Sequence, residues 1–304
     1  MKCAIVGSTK IAQIHAEQLL KKGVKNITFI SRSKKKRKKI ISTLKKKISK
    51  KIFFYDSNLE ILKKEFFDII CICSKTNIHD DHLKLVSKLK SIVIIEKPII
   101  SLLKLKNKYQ NFLKIIYKKN KRIIVCYPYL YFSKIIKKLF NQKKKIKEIN
   151  FDFQSGGNKK FKEICIDLMP HALSFFHNFL IKNFLKSKYY NCRTLIKKNI
   201  YKNEFKINNI FIRIILRENL RKKTSLKITV NNFSITRKTK IVNGEFINYI
   251  RNCKTNKIRR IKNPMSELYN DLFLNLDNKK YYNINRKITL DLMKKNYFLL
   301  NSIS

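Results

Sequence analysis

The stretch Lys2-Cys-Ala-Ile-Val-Gly7-Ser-Thr-Lys-Ile-Ala12 decides the fold. A short apolar, β-favouring run stops at a glycine, and a helical pattern over Ile11–Lys22 follows at once. A strand that turns on glycine into a helix gathers backbone N–H groups at the helix N-terminus, where a pyrophosphate binds. The dinucleotide fingerprint G-x-G-x-x-G/A keeps its first glycine as Gly7 and its permitted final alanine as Ala12. Thr9 stands where the second glycine belongs, and a side chain there crowds the phosphates. Gly7, Thr9, Lys10 and Ile11 are the candidate phosphate contacts.

Outward from this turn, β-rich runs alternate with helical ones. Strands are expected at Lys2–Val6, Asn26–Ser31, Ile52–Tyr55, Phe67–Ser74, Ile92–Glu96 and Arg122–Tyr127. Helices are expected between them at Ile11–Lys22, Ser33–Lys47, Leu59–Lys64, His79–Lys88 and Leu102–Lys119. Near-continuous apolar runs such as Ile92–Ile95 suit a parallel sheet buried on both faces. The Lys-rich run Ser33–Lys51 carries Ile40, Ile41, Leu44 and Ile48 at helical spacing, so it reads as a solvated helix face. The second strand ends Ile30-Ser-Arg-Ser33. NAD sites place a carboxylate there for the ribose 2′-hydroxyl; Ser31, Arg32 and Ser33 would instead receive the 2′-phosphate of NADP. NADP is therefore the preferred cofactor, with NAD the alternative.

After Tyr127 the rhythm changes. A helix pattern at Phe132–Phe140 precedes Lys147–Gln154, where Ile149, Phe151 and Phe153 alternate with polar residues, as in a sheet with one open face. Further elements are a helix over about Cys165–Phe184, strands Asn209–Glu218, Ser225–Asn231 and Phe233–Lys238, and helices Pro264–Leu276 and Ile284–Ser302. The fold class is α/β: a Rossmann-type doubly wound parallel sheet over 1–127, then an α+β domain with a mostly antiparallel open sheet over 128–304.

Composition narrows the function classes. Lys and Arg number 71 against 19 Asp and Glu, a formal charge of +52. Nucleic acid or an anionic membrane would explain such a balance. Gly (5), Pro (4) and Trp (0) are scarce, however, while Lys, Ile, Asn, Phe and Tyr are abundant. That bias follows AT-rich codons, and the lysines are spread over every segment, so no specific nucleic-acid partner is expected. Hydrophobic residues at 44% suffice for a core. No apolar run reaches the ~18–20 residues of a membrane span, and Met1–Gly7 is too short for a signal peptide. The seven cysteines are scattered from Cys3 to Cys253 and form no disulfide framework, so a reduced, cytoplasmic protein is expected.

Further motifs extend the reading. The fourth strand runs into Ser74-Lys-Thr-Asn-Ile-His79, the fifth ends Ile95-Glu96-Lys97-Pro98, and the second domain holds Asp167-Leu-Met-Pro-His171. Together with Ile11-Ala12 and His15-Ala16 in the first helix, their order and spacing resemble the glucose–fructose oxidoreductase / inositol dehydrogenase / MocA family. The resemblance is firm through residue 98 and around 165–180, and thin between 185 and 260.

The resemblance implies an NAD(P)-dependent oxidoreductase, an active site between the two domains and a homo-oligomer assembled through the open sheet. It implies a small-molecule substrate related to sugars, nucleotide sugars or polyols. Lys97 matches the lysine beside the nicotinamide and reacting oxygen, and His171 the acid/base, with Asp167 its companion. Ser74, His79 and Glu96 fall among the cofactor contacts. These residue types suit the chemistry: a histidine titrates near neutrality and a lysine stabilises a developing alkoxide. If the helix began near Pro170, Asp167 and His171 would instead form a cap. Where the family carries an arginine after the sixth strand, this chain has Cys126-Tyr-Pro-Tyr-Leu-Tyr-Phe132, which makes Tyr127, Tyr129 and Tyr131 candidate substrate contacts. Ser174 replaces an Asp three residues after His171. His79 and His82 lack a third partner for a metal, and none is expected; His177 reads as structural. The alternative is a catalytically silent, basic binding or regulatory protein that keeps the dinucleotide fold, for which Thr9 and the charge speak.

Overall fold

The computed structural model describes residues 1–47, 53–140, 145–180, 189–242 and 245–301. The chain divides into two compact units, Met1–Cys126 with Leu268–Leu290, and Tyr127–Glu267 with Asp291–Ser304. The return of 268–290 to the first unit is not foretold by the run of elements along the chain.

The first unit holds β1 (Lys2–Val6), β2 (Asn26–Ile30), β3 (Phe53–Ser57), β4 (Ile69–Ile72), β5 (Ile92–Glu96) and β6 (Ile123–Cys126). They form one six-stranded sheet, ordered β3-β2-β1-β4-β5-β6, in which every pairing is parallel. Every residue of β4 and β6 is buried, which is why these runs carry no polar alternation. The winding reverses between β1 and β4, and open α/β sheets bind ligands beyond the carboxyl ends of the strands at such a point.

The helices are α1 (Lys10–Lys21), α2 (Lys34–Lys47), α3 (Ile61–Lys64), α4 (His79–Val86), α5 (Leu102–Leu105) and α6 (Tyr109–Lys119). In α2, Arg37, Ile40 and Leu44 are buried while most of the lysines face solvent, the pattern of a solvated amphipathic helix. Residues 48–51 of the expected Lys-rich run lie outside the described residues. The single helix expected over Leu102–Lys119 is two helices. Lys106 has φ 45°, outside the right-handed region, and a short 3₁₀ turn over Lys106–Lys108 separates α5 from α6.

The second unit begins with α7 (Pro128–Leu139), whose start at Pro128 puts Tyr129 and Tyr131 inside a helix. Next come β7 (Glu148–Ser155) and α8 (Lys162–Leu180), then seven strands. These are β8 (Tyr189–Lys197), β9 (Ile200–Ile207), β10 (Ile210–Glu218), β11 (Ser225–Val230), β12 (Phe233–Val242), β13 (Glu245–Asn252) and β14 (Ile258–Ile261). The eight-stranded sheet is ordered β14-β13-β12-β11-β7-β10-β9-β8; only β7 and β10 run parallel. Its inner face buries Phe151, Tyr201, Phe205, Ile214 and Ile228. Phe151 meets Phe175 and Phe176 of α8 at ring separations of 5.7 and 5.9 Å. Burying each such ring is worth about 2–3 kcal/mol.

Four strands, β8, β9, β13 and β14, escape the sequence reading. Three of the four residues of β14 are exposed, and the Lys- and Asn-rich hairpin of β8 and β9 blurs any apolar period. The helix expected over Cys165–Phe184 begins three residues earlier, at Lys162; residues 181–184 lie outside the described residues, as does Ser302. Two last helices, α9 (Pro264–Phe273) and α10 (Lys279–Asn301), each contribute to both units. No described helix is long and apolar enough to cross a membrane.

Candidate functional site

At the β1–α1 turn Gly7 has φ +128°, and a Cβ there would lie 2.7 Å from the Cys73 carbonyl oxygen. Only glycine fits, on both conformational and steric grounds. The Gly7 N–H donates to Ile30 O at 2.8 Å, closing the end of β1 onto β2. Thr9 is the N-cap of α1 and its hydroxyl donates to Cys73 O at 3.4 Å, so the residue in place of the second glycine is tied to the end of β4. The first N–H groups of α1 follow at Lys10 and Ile11, where a helix leaves donors without an intrahelical partner. A cradle that a Cβ would close, beside a helix N-terminus carrying Lys10, fits a dinucleotide pyrophosphate.

The end of β2 is held by hydroxyls. Ser31 Oγ donates to Ser8 Oγ at 2.9 Å and accepts from the Ser33 N–H at 3.2 Å. The Ser33 hydroxyl in turn accepts from the Lys36 N–H at 3.4 Å. Arg32 is exposed, whereas Arg37 is 9% exposed and donates to the Ser31 carbonyl. Sequence reading missed Arg37. Its one signal is its place on the buried face of α2, three residues before Ile40. No carboxylate occurs from Ile30 through Lys39, which suits a 2′-phosphate better than a 2′-hydroxyl.

His79 is buried rather than lining a surface. Its ring nitrogens face Pro98 O at 2.9 Å and Ser74 O at 3.0 Å, bracing two loops at the carboxyl edge of the sheet from inside. Burial pushes its pKa down, so the neutral ring donates to one of those carbonyls. Ser74 Oγ is 2.8 Å from His82 Nδ1, and burial holds His82 down as well. Lys97 is half-buried, with a cis bond to Pro98. Glu96 turns inward to His15 Nε2 at 2.8 Å. His15, with Ala12, Ala16 and Leu19, lies on the buried stripe of α1. The sequence marks it as a motif residue but offers no partner, because Tyr269 on its other side comes from 254 positions away.

In the second unit Asp167 and His171 sit on α8, which begins at Lys162 and continues through Pro170. The alternative of a cap near Pro170 does not hold, because both residues occupy mid-helix positions. Asp167 pairs with Lys159 at 2.5 Å. The His171 ring lies 4.6 Å from that of Tyr129 and 5.2 Å from that of Phe153, leaving the imidazole half-buried. Ser174 donates to the His171 carbonyl at 3.1 Å. Tyr127 and Tyr129 are buried, and Tyr129 packs against Phe151 and Phe153. Tyr131 lies under the Lys134 ammonium, 4.9 Å from its ring centroid. An arginine does approach the aromatic helix, but from β12: Arg237 lies 5.7 Å from the Tyr129 centroid and is held by Asn248 at 2.7 Å.

Residues 1–127 match the family model described as the Gfo/Idh/MocA oxidoreductase family, NAD-binding Rossmann fold. No curated protein matches the sequence. Among solved structures, a dehydrogenase from Clostridium difficile is 16% identical at TM-score 0.69, with 100% of this chain and 99% of that chain covered. A 3-ketoreductase from Actinomadura kijaniata, solved with TDP-benzene and NADP, is 7% identical at TM-score 0.71, covering 97% and 95%. The WlbA dehydrogenase from Thermus thermophilus, solved with NAD and UDP-GlcNAcA, is 13% identical at TM-score 0.66, covering 99% and 95%. At these identities the likeness speaks to fold. Over residues 1–127, the chain is thus similar to the NAD-binding Rossmann domain of the glucose–fructose oxidoreductase / inositol dehydrogenase / MocA family.

Proposed function

We propose that the protein is an NADP-preferring oxidoreductase that moves hydride between nicotinamide and a sugar, nucleotide-sugar or polyol-like substrate. The observation that carries this is the glycine-closed β1–α1 cradle, followed at the end of β2 by hydroxyls and arginines with no carboxylate. Gly7, Thr9, Lys10 and Ile11 would hold the pyrophosphate, and Ser31, Arg32 and Ser33 the ribose phosphate. Ser74, through His82, and Glu96 at the end of β5, through His15, support the same edge of the sheet. Bound NAD(P) supplies the hydride acceptor or donor.

The chain's own residues handle the proton and the charge. His171, half-buried on α8, takes the hydroxyl proton in oxidation and returns it in reduction. Lys97 stabilises negative charge on the reacting oxygen. Asp167, one helical turn from His171 and paired with Lys159, orients the substrate. Tyr127 and Tyr129 shape the pocket around the imidazole. The outer face of the eight-stranded sheet is where the homo-oligomer implied by the family resemblance would assemble.

Nucleotide titrations followed by nicotinamide fluorescence test the reading. NADPH should bind more tightly than NADH, and Arg32→Asp should weaken NADPH about tenfold more than NADH, since one charge-assisted contact is worth about 1.5–3 kcal/mol. Equal losses would remove the NADP preference. Binding of neither nucleotide by the parent protein would overturn the oxidoreductase reading and leave a basic binding protein.

A further inference from the structure

Arg237 of β12 leaves the eight-stranded sheet on its buried face. Ile235, two residues before it, is 2% exposed, and its cross-strand partners Leu226 and Ile250 are 3% and 5% exposed. Residues two apart along a strand, and residues paired across strands, point to the same face. Arg213 and Arg217 of β10 alternate with the buried Ile212, Ile214 and Leu216, so they stand on the other face. Each of those two has a carboxylate beside it, Glu204 and Asp152 respectively. Arg237 is held differently. Among the described residues its partners are Asn248 and two aromatic rings, and no carboxylate is one of them.

Asn248 on β13 is buried, and its Oδ1 accepts from Arg237 Nε at 3.1 Å and from Nη2 at 2.7 Å. The Thr239 hydroxyl donates to the same oxygen at 3.0 Å, so the acceptor is itself fixed. The guanidinium lies 5.7 Å from the Tyr129 centroid and 5.3 Å from that of Phe132, within cation–π range. Amide and rings together hold the head group in place. A guanidinium carries five N–H donors, and Asn248 takes two of them. The parallel N–H groups at Nη1 and Nη2 match a carboxylate or a phosphate in bidentate fashion. A half-buried charge is costly unless something compensates it, and an apolar side chain would pack on this face without that cost.

The ring of Tyr129 also carries the His171 imidazole, at 4.6 Å between centroids. Guanidinium and imidazole thus stand against one ring. Their separation is at most the two centroid distances laid end to end, which a substituted sugar spans. We propose that Arg237 is a specificity-determining residue: it takes an anionic substituent of the substrate, a carboxylate or a phosphate, while His171 works on the hydroxyl. The proposal rests on the reading of His171 as the acid/base, and it narrows the substrate to sugars that carry a negative charge. Asn248 is the positioning residue that turns the fork toward that charge.

The test is phenylglyoxal modification of the arginines in the full chain, read residue by residue by mass spectrometry at constant ionic strength. D-glucuronate supplies a carboxylate, UDP-glucose a diphosphate, and D-glucose neither. At least one of the two anions should slow the reaction at Arg237 about fivefold or more. Glucose should not, and the exposed Arg259 and Arg260 of β14 should react as before. Protection by glucuronate alone assigns the carboxylate, by UDP-glucose alone the phosphate, and by both a site that reads the charge whatever carries it. Protection by neither anion would overturn the proposal. So would equal protection by glucose, equal slowing at Arg259 and Arg260, or an Arg237 that does not react in the free protein. Arg237→Lys keeps the charge but loses the fork, so calorimetry should find the protecting anion bound about tenfold more weakly. An unchanged affinity would also sink the idea. Should that variant not fold, the protection pattern of the parent decides alone. Neither measurement uses nucleotide or turnover, so failure here leaves the oxidoreductase reading to stand or fall on the nucleotide titrations.

Discussion

Two histidines, one in each unit, show how differently context can hold the same side chain. His15 lies on α1 with no exposed surface and a partner on each nitrogen. His171 lies on α8, half-buried, and its ring contacts are the aromatic faces of Tyr129 and Phe153. A ring held from both sides by Glu96 and Tyr269 has its proton committed. The His171 ring, packed against aromatic faces, is half-buried rather than sealed. His15 is thereby committed to structure, and we propose His171 as the one of the two that transfers a proton.

Replacement of each side chain tests that contrast. The largest effect belongs to His171→Ala, which should lower turnover about 10²–10⁴-fold while nucleotide affinity stays within a few-fold and the melting temperature barely moves. Normal turnover with an unchanged pH–rate profile would put His171 on the structural side.

His15→Ala should act in the opposite sense, through stability. It leaves a largely buried carboxylate without its partner, a loss of about 3 kcal/mol in denaturant unfolding. The pH dependence has a definite sign. His15 has a raised folded pKa, so its contribution is full below the ordinary value of 6.5 and fades as pH rises through the folded value. Glu96 has a lowered one, so its contribution is full above the ordinary 4.5 and fades as pH falls through the folded value. The gap between parent and His15→Ala should therefore be widest from 4.5 to 6.5 and narrow on either side. A gap constant from pH 4 to 9 would show that the loss is one of packing alone.

The smallest effect is expected of Tyr269→Phe, which removes one hydrogen bond from the ring and should destabilise by about 1 kcal/mol. If it matched His15→Ala, the phenol rather than the carboxylate would be the chief partner of the imidazole.

The two units also differ in how openly the sequence declares them. In the first, each parallel strand is buried on both faces and each crossover is a helix, so apolar runs and helical periods alternate in plain view. The glycine at position 7 was legible for a local reason, since a turn at φ +128° against the Cys73 carbonyl admits no other residue. In the second unit β7, β10 and β11 showed their alternation, but β13 and β14 did not. An edge strand such as Ile258–Ile261 buries only Ile261 and carries almost no pattern. Asp167 and His171 were visible as a motif, whereas their surroundings were not: Lys159, Tyr129 and Arg237 reach them or their neighbours from a loop, a helix and a strand.

By itself the sequence determined the six alternating units of the N-terminal domain, the glycine turn, the absence of a carboxylate after β2 and the change to an antiparallel rhythm near residue 128. Each of these rests on interactions between residues a few positions apart, whose chemistry is read directly from spacing. Only the tertiary structure decided that Glu96 faces His15 rather than solvent, that Tyr269 closes that cluster, and that an arginine reaches Tyr129 from β12. Those contacts join residues 81, 254 and 108 positions apart, counting Tyr129 to Arg237 for the last. They exist because buried polar groups must find partners wherever packing brings one within reach, and local spacing holds no record of which partner that is.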